Sequence, residues 1–160
     1  MLALRSPRWQ ELEQAFGTAE DIPGLLDALG AVESPVERAE LWMGVWATLC
    51  PDGNATPAGY AALPHLLRLA RARSPHELVT AIHFAVTLEL SRIEKRGAAV
   101  PPDLLPFYAA AIELLPALVA QLSGEPWDDA TAQLMAAALL AGKRHGALAR
   151  AVMELGSDAT

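Results

Sequence analysis

The chain has 160 residues, more than half of them apolar, with a single cysteine and a formal net charge of −7. Ala and Leu supply most of the apolar residues and β-branched residues are sparse, which favours closely packed helices. This length suits one domain, residues 1–160, with its own hydrophobic core. We therefore expect an all-α protein. The lone Cys50 excludes an intramolecular disulfide and any multi-thiolate metal site, so we expect the reducing cytoplasm as its compartment.

The negative charge is concentrated in residues 1–50, which carry three basic and eight acidic side chains. A nucleic-acid partner is not expected, because binding to a phosphate backbone requires concentrated Lys and Arg. An acidic face would instead favour a basic protein partner, or would only keep the protein in solution. The chain lacks a signal-peptide pattern and any run of about 18 apolar residues, so neither export nor a membrane span is expected.

Capping residues, first-turn prolines and apolar spacing divide the chain into predicted helices. Ser6, Ser34, Thr56 and Ser74 each precede a proline, as an N-cap precedes the first helical turn. The predicted helices span residues 8–16, 21–29, 35–50, 57–72, 75–96, 103–122, 126–141 and 146–155. Residues 156–160 are expected to fray.

Two of these helices form a predicted hairpin around a tight turn at residues 50–54. Helical spacing places six apolar residues of the first helix in one predicted buried stripe: Val36, Ala39, Trp42, Met43, Trp46 and Leu49. Glu33, Glu37 and Glu40 mark the predicted solvent side of that helix. The two tryptophans are expected to pack between helix pairs, and the alternative is that they form an exposed binding anchor.

A short pattern recurs at an offset of 52 residues: Leu63-Pro64 and Leu115-Pro116 are each followed by apolar residues. After each copy a further helix starts at a proline, Pro75 or Pro126. Repeated helix pairs of this kind are typical of α-solenoids of the HEAT or armadillo class. We therefore predict antiparallel helical hairpins stacked as a short right-handed α-solenoid, with a kink at Pro64.

No combination of side chains in the sequence matches a reaction centre. His76 and His83 would lie about 10.5 Å apart along a helix, too far for one zinc ion, and the other two histidines have no second ligand at a suitable spacing. Cys50 has neither a base nor a positive charge beside it and is expected to be a buried thiol. We therefore predict no enzymatic activity, no metal site and no cofactor.

One stretch of the hairpin has a more specific pattern. Residues 41–50 carry Leu-Trp before a Cys-containing turn, and residues 60–66 have the sequence Tyr-Ala-Ala-Leu-Pro-His-Leu. This segment resembles a family of small bacterial HEAT-repeat-like proteins, although Pro51-Asp52-Gly53 stands where that family has His-Gln-Gly. The resemblance implies a HEAT-like fold and a role as an immunity-type protein of a toxin system or as an interaction module. The residues that it implies as fold determinants are Trp46, Gly53, Tyr60 and Pro64.

Together these features predict a non-enzymatic protein-binding module, most concretely an immunity protein that neutralises a basic toxin or effector. The acidic residues expected to steer that partner are Asp27, Glu33, Glu37 and Glu40. A scaffold or regulatory protein without a toxin partner would have the same sequence features, and the oligomeric state is left open. A third alternative, a HEAT-like nucleic-acid enzyme, would need a basic surface. The candidate residues for it are Arg68, Arg71, Arg73, Arg92, Lys95 and Arg96.

Overall fold

The computed structural model describes residues 1–155, and most of them are helical. The α-helices α1 to α8 span Ile22–Ala31, Pro35–Leu49, Pro57–Arg71, Pro75–Ile93, Leu105–Glu113, Leu115–Gln121, Asp129–Gly142 and Gly146–Glu154. The prediction of a mainly helical protein is confirmed. The predicted fraying of residues 156–160 lies outside the described residues.

The predicted helix over residues 8–16 is wrong. Pro7–Gln10 forms a short 3-10 turn, and Glu13–Gln14 (β1) pairs antiparallel with Gly17–Thr18 (β2). The backbone N–H of Ala15 donates to the carbonyl of Thr48 on α2, and Gly17 adopts a positive φ of 135° at the turn. Tertiary hydrogen bonding therefore replaces the helix that the apolar spacing predicted, and Phe16 is 78% exposed.

Other helix bounds differ from the prediction where proline or a capping side chain intervenes. The predicted helix over residues 103–122 divides at Leu114 into α5 and α6, because Pro116 has no N–H to donate to the carbonyl four residues earlier. Helix α7 begins at Asp129 and not at residue 126, because Asp128 caps it and accepts from the backbone N–H of Thr131 at 2.7 Å. By contrast, α3 continues through Pro64 to its end.

Helices α3 and α4 form the centre of the molecule and are the helices with the most buried residues. They pack against each other in opposite directions, since Ser91 Oγ near the end of α4 accepts from the N–H of Ala55 just before α3. Helix α3 also packs against α1 and α5, and α4 packs against α7. The Tyr60 ring contacts the Tyr108 ring, and Arg71 bonds Gln121, so α3 and the α5–α6 pair run in the same direction.

Candidate functional site

A groove of about 550 Å³ separates α2 from the first half of α4. Its walls combine aromatic, apolar and ionic side chains: Glu33, Pro35, Arg38, Ala39, Trp42, Met43, Trp46, Arg73, Ser74, His76, Glu77 and Thr80. A volume of this size is within the range that is typical of binding sites. We therefore take this α2–α4 groove as the candidate functional site.

The floor of the α2–α4 groove is formed by two tryptophans held by neighbouring side chains. Trp42 is 5% exposed, and its indole Nε1 donates to Glu77 Oε2 at 3.4 Å. Trp46 packs edge-on against Phe84, with 5.1 Å between ring centroids, and also contacts the His83 ring. Contacts on both helices therefore fix the aromatic floor, which is the preorganisation that a binding surface needs.

A buried ion pair closes one end of the groove. The Arg38 guanidinium donates through Nε and Nη2 to the two oxygens of the Glu77 carboxylate, and Arg38 is 5% exposed. Arg38 Nη1 also donates to the carbonyls of Leu29 and Val32 at the end of α1. The hydrogen bond from Arg38 lowers the pKa of Glu77, so the pair stays ionised and joins α1, α2 and α4.

The α2 wall of the groove includes Ala39 and Met43, and it continues onto an exposed apolar face of this helix outside the groove lining. Val36 is 70% exposed and Met43 is 67% exposed, and Ala39 and Ala47 are exposed on the same helix. The predicted buried stripe is therefore wrong for Val36, Ala39 and Met43. The residues of α2 that are buried are Arg38, Trp42, Val45 and Leu49.

Arg38 explains why the buried face of α2 differs from the predicted one. Its ionic partner and the two α1 carbonyls all lie on the inner side of the helix, so the arginine takes an inward position that the apolar spacing assigned to other residues. The sequence carried one signal of this, since Glu77 is an acidic residue in the first turn of α4. Its position three residues after Ser74 fits a capping box, but its side chain reaches Arg38 instead.

The four predicted partner-binding acids are all exposed, but the structure does not place them together. Glu37 and Glu40 lie one turn apart on α2, beside the exposed apolar face. Glu33 lines the groove and forms an ion pair with Arg73 at 2.7 Å, and the bond from Arg73 lowers its pKa. Asp27 belongs to α1 and is not among the residues of the groove.

The environment of Cys50 disfavours a reactive thiolate, and no group of side chains in the described residues is arranged to bind a metal ion. Burial raises the pKa of the Cys50 thiol to about 11, so this thiol is protonated at neutral pH, as expected for a buried cysteine. Across residues 1–155, no three His, Cys, Asp or Glu side chains are grouped so that they could bind one metal ion. We assign no cofactor to any group of side chains in this part of the chain.

The predicted basic residues are partly neutralised. Arg73, Arg92 and Arg96 form ion pairs with Glu33, Glu89 and Glu94, respectively. A phosphate backbone would have to compete with these carboxylates for each guanidinium.

A polar cluster that sequence reasoning missed lies between α4 and α5. Glu89 is only 6% exposed, and its carboxylate accepts hydrogen bonds from Arg92. It also accepts a hydrogen bond from the buried Tyr108 hydroxyl, with 2.7 Å between the oxygens. Burial, with Glu89 beside it, raises the pKa of Tyr108 well above its ordinary value. Each group of this cluster has a hydrogen-bond partner, so the cluster joins the two helices.

None of the helices in residues 1–155 is both long enough and apolar enough to cross a membrane. Comparison with protein-family models, with curated proteins and with solved structures gives no significant match for this chain.

Proposed function

We propose that this chain is a protein-binding module whose α2–α4 groove receives an apolar segment of a partner protein. The observation that carries the proposal is the exposure of Met43 beside the fixed floor of Trp42 and Trp46, with Val36 exposed on the same helix outside the groove lining. Large apolar side chains next to a well-packed aromatic pocket are the usual anchors of protein interfaces. Methionine, which is unbranched and flexible, adapts well to a partner's shape.

The charges around the groove favour a basic partner. Glu37 and Glu40 are exposed beside the apolar face of α2, and neither forms an ion pair within residues 1–155. Carboxylates at the edge of an interface attract a cationic partner and raise its rate of association more than its final affinity. The partner segment would therefore carry an apolar side chain flanked by Lys or Arg.

The arrangement of helices supports an α-solenoid of the HEAT kind as the finer description of the fold. Helix α3 pairs with α4, and α6 pairs with α7. Helix α3 packs against α5, which leads into α6, and the second helices of the two hairpins are neighbours, since α4 packs against α7. Two layers of this sort are what stacked hairpins produce. The right-handed stacking predicted from the Leu-Pro repeat remains part of this proposal.

The most specific form of the proposal is a cytoplasmic immunity protein that blocks a basic toxin by covering its working surface. The resemblance of residues 41–66 to HEAT-repeat-like proteins of toxin systems supports it, together with the net charge of −7. A scaffold that binds a harmless partner would use the same groove. The identity of the partner is what separates these two functions.

Co-purification tests this function. The tagged protein is isolated from its native cells at low and at high salt, and bound chains are identified by mass spectrometry. An immunity protein would retain one stoichiometric basic partner that is toxic when it is expressed alone. A stoichiometric partner that is harmless alone would favour the scaffold, and the absence of any stoichiometric partner would contradict the binding function.

A further inference from the structure

A second groove, of about 340 Å³, runs between α3 and the α5–α6 pair and shares no residue with the α2–α4 groove. Its lining is mostly apolar: Met1, Pro64, Leu67, Phe107, Ala110, Ala111, Leu114 and Leu118, with Arg68 and Arg71. This volume lies at the lower end of the range for small-molecule pockets. We call this feature the α3–α5 groove.

Large apolar side chains in the α3–α5 groove remain partly in water. Phe107 is 43% exposed and Leu114 is 47% exposed, and both belong to the same side of α5. The floor between α3 and the α5–α6 pair includes Leu67, Ala111 and Leu118, all of which are buried. An apolar chain placed on this floor would remove further apolar surface from water, at about 25 cal/mol per Å².

The polar groups of the groove are two arginines on one face of α3. Arg68 and Arg71 are three residues apart, and no acidic side chain of residues 1–155 lines the groove. Within the described residues neither arginine forms an ion pair, although Arg71 Nε donates to Gln121 Oε1 at 3.2 Å. Most other arginines of residues 1–155 do pair with a carboxylate, namely Arg8, Arg38, Arg73, Arg92, Arg96, Arg144 and Arg150.

We propose that the α3–α5 groove binds a single-chain amphipathic carboxylate, such as a fatty acid. The alkyl chain lies along Leu67, Ala111 and Leu114, and the carboxylate accepts hydrogen bonds from Arg68 and Arg71. Guanidinium groups bind carboxylates through charge-assisted and often bidentate hydrogen bonds. A ligand with one anionic end and one apolar end matches a groove whose cations are confined to one helix.

Titration calorimetry with dodecanoate, below its micelle concentration, tests the proposal. The neutral analogue 1-dodecanol measures the contribution of the charge. The Arg68→Gln/Arg71→Gln double variant removes both cations, and Leu114→Asp places a negative charge in the apolar part of the groove. The matched control is Arg5→Gln, which removes an arginine outside the groove, and circular dichroism verifies that each variant is folded.

We expect dodecanoate to bind the unmodified protein, and the double variant to weaken binding by more than about tenfold, because the carboxylate loses charge-assisted hydrogen bonds from both arginines. Leu114→Asp should weaken it as well, while Arg5→Gln should leave it unchanged. Equal binding to the unmodified protein and to the double variant would overturn the proposal. Failure of dodecanoate to bind the unmodified protein would also overturn it, and binding of an acidic amphipathic peptide instead would identify the groove as a protein-docking site.

Discussion

At the scale of single residues, the Arg38–Glu77 pair has the largest predicted effect on stability. Arg38 is buried, and Glu77 is its only carboxylate partner within residues 1–155. Replacing Glu77 with glutamine leaves a buried guanidinium without a counter-charge, so we expect Glu77→Gln to lower the free energy of unfolding by about 3 kcal/mol. Urea denaturation measures this change.

The matched control for that change is Glu37→Gln, which alters an exposed glutamate in the first turn of α2. It should change the free energy of unfolding by less than about 0.5 kcal/mol. A similar, small effect from both variants would mean that the ion pair does not hold the groove together.

His65 makes stability depend on pH. Its ring is 3% exposed, Nε2 bonds the carbonyl of Leu2 at 2.7 Å, and Nδ1 has no partner within the described residues. Burial lowers its pKa below the ordinary value of 6.5, so the unfolded chain takes up a proton at a higher pH than the folded protein does. Stability should therefore fall as the pH drops below about 6.5.

Urea denaturation at several values between about pH 7 and pH 5 tests this effect. We expect the His65→Gln variant to lose less stability over that range than the unmodified protein, because glutamine does not titrate. If the free energy of unfolding falls with pH equally steeply for the two proteins, His65 does not take part in the acid sensitivity.

At the scale of helices, the contact of α7 with the α5–α6 bend depends on a missing side chain. A Cβ at Gly142 would lie 2.4 Å from Pro116 Cδ and 3.1 Å from the carbonyl oxygen of Ile112. We expect Gly142→Ala to destabilise the protein by about 1–3 kcal/mol, because the helices must separate to admit the methyl group. Thermal or urea unfolding measures it.

Gly124→Ala is the control for this substitution, because a Cβ there would meet no atom within 4 Å. It should leave stability unchanged or raise it slightly. Alanine generally stabilises a helix by about 1 kcal/mol relative to glycine, and this gain would appear at Gly142 if no clash opposed it. A stabilising Gly142→Ala would therefore contradict the close packing of α7 on Pro116.

Helix positions could be predicted from the sequence wherever a local signal sets them. The Ser-Pro and Thr-Pro starts place α2, α3 and α4 correctly, since Ser34, Thr56 and Ser74 each accept a backbone N–H of the first turn. The N-terminal segment could not be predicted in the same way. Its β-hairpin depends on the Ala15 bond to Thr48, a partner far away in the sequence.

The orientation of α2 shows why the site was only partly predictable. The sequence predicted the position of α2 and the exposure of Glu37 and Glu40, but apolar spacing alone could not identify the buried face of this helix. A buried arginine overrides the apolar pattern when a carboxylate and free helix carbonyls are available on the inner side, as they are for Arg38. Such partners are separated in sequence and become neighbours only in the fold.

At the scale of the whole molecule, the two grooves differ in charge. The α2–α4 groove lies beside Glu37 and Glu40, which form no ion pair within residues 1–155, whereas the α3–α5 groove has two arginines and, among the described residues, no acid in its lining. A basic protein should therefore approach the first groove and an anionic amphiphile the second, because each is attracted by the local charge and not by the net charge.

Charge reversal at α2 tests the steering of the partner. We expect Glu37→Lys/Glu40→Lys to slow association with the co-purified partner about tenfold at low salt, with the difference shrinking at high salt as the charges are screened. Surface plasmon resonance measures the association rate of the variant and of the unmodified protein at each salt concentration. Glu20→Lys/Glu125→Lys carries the same net charge on exposed residues outside the groove, and an equal effect from it would remove α2 from the steering surface.

The central claim is that the α2–α4 groove is the protein-binding site, and the affinity of a Met43→Asp variant for the co-purified partner tests it most directly. The control is Leu148→Asp on α8, where the leucine is 56% exposed and lies outside both grooves. We expect Met43→Asp to raise the dissociation constant about 30-fold or more, as the loss of an interface anchor does, and Leu148→Asp to leave it unchanged. An unchanged dissociation constant for Met43→Asp would contradict the account.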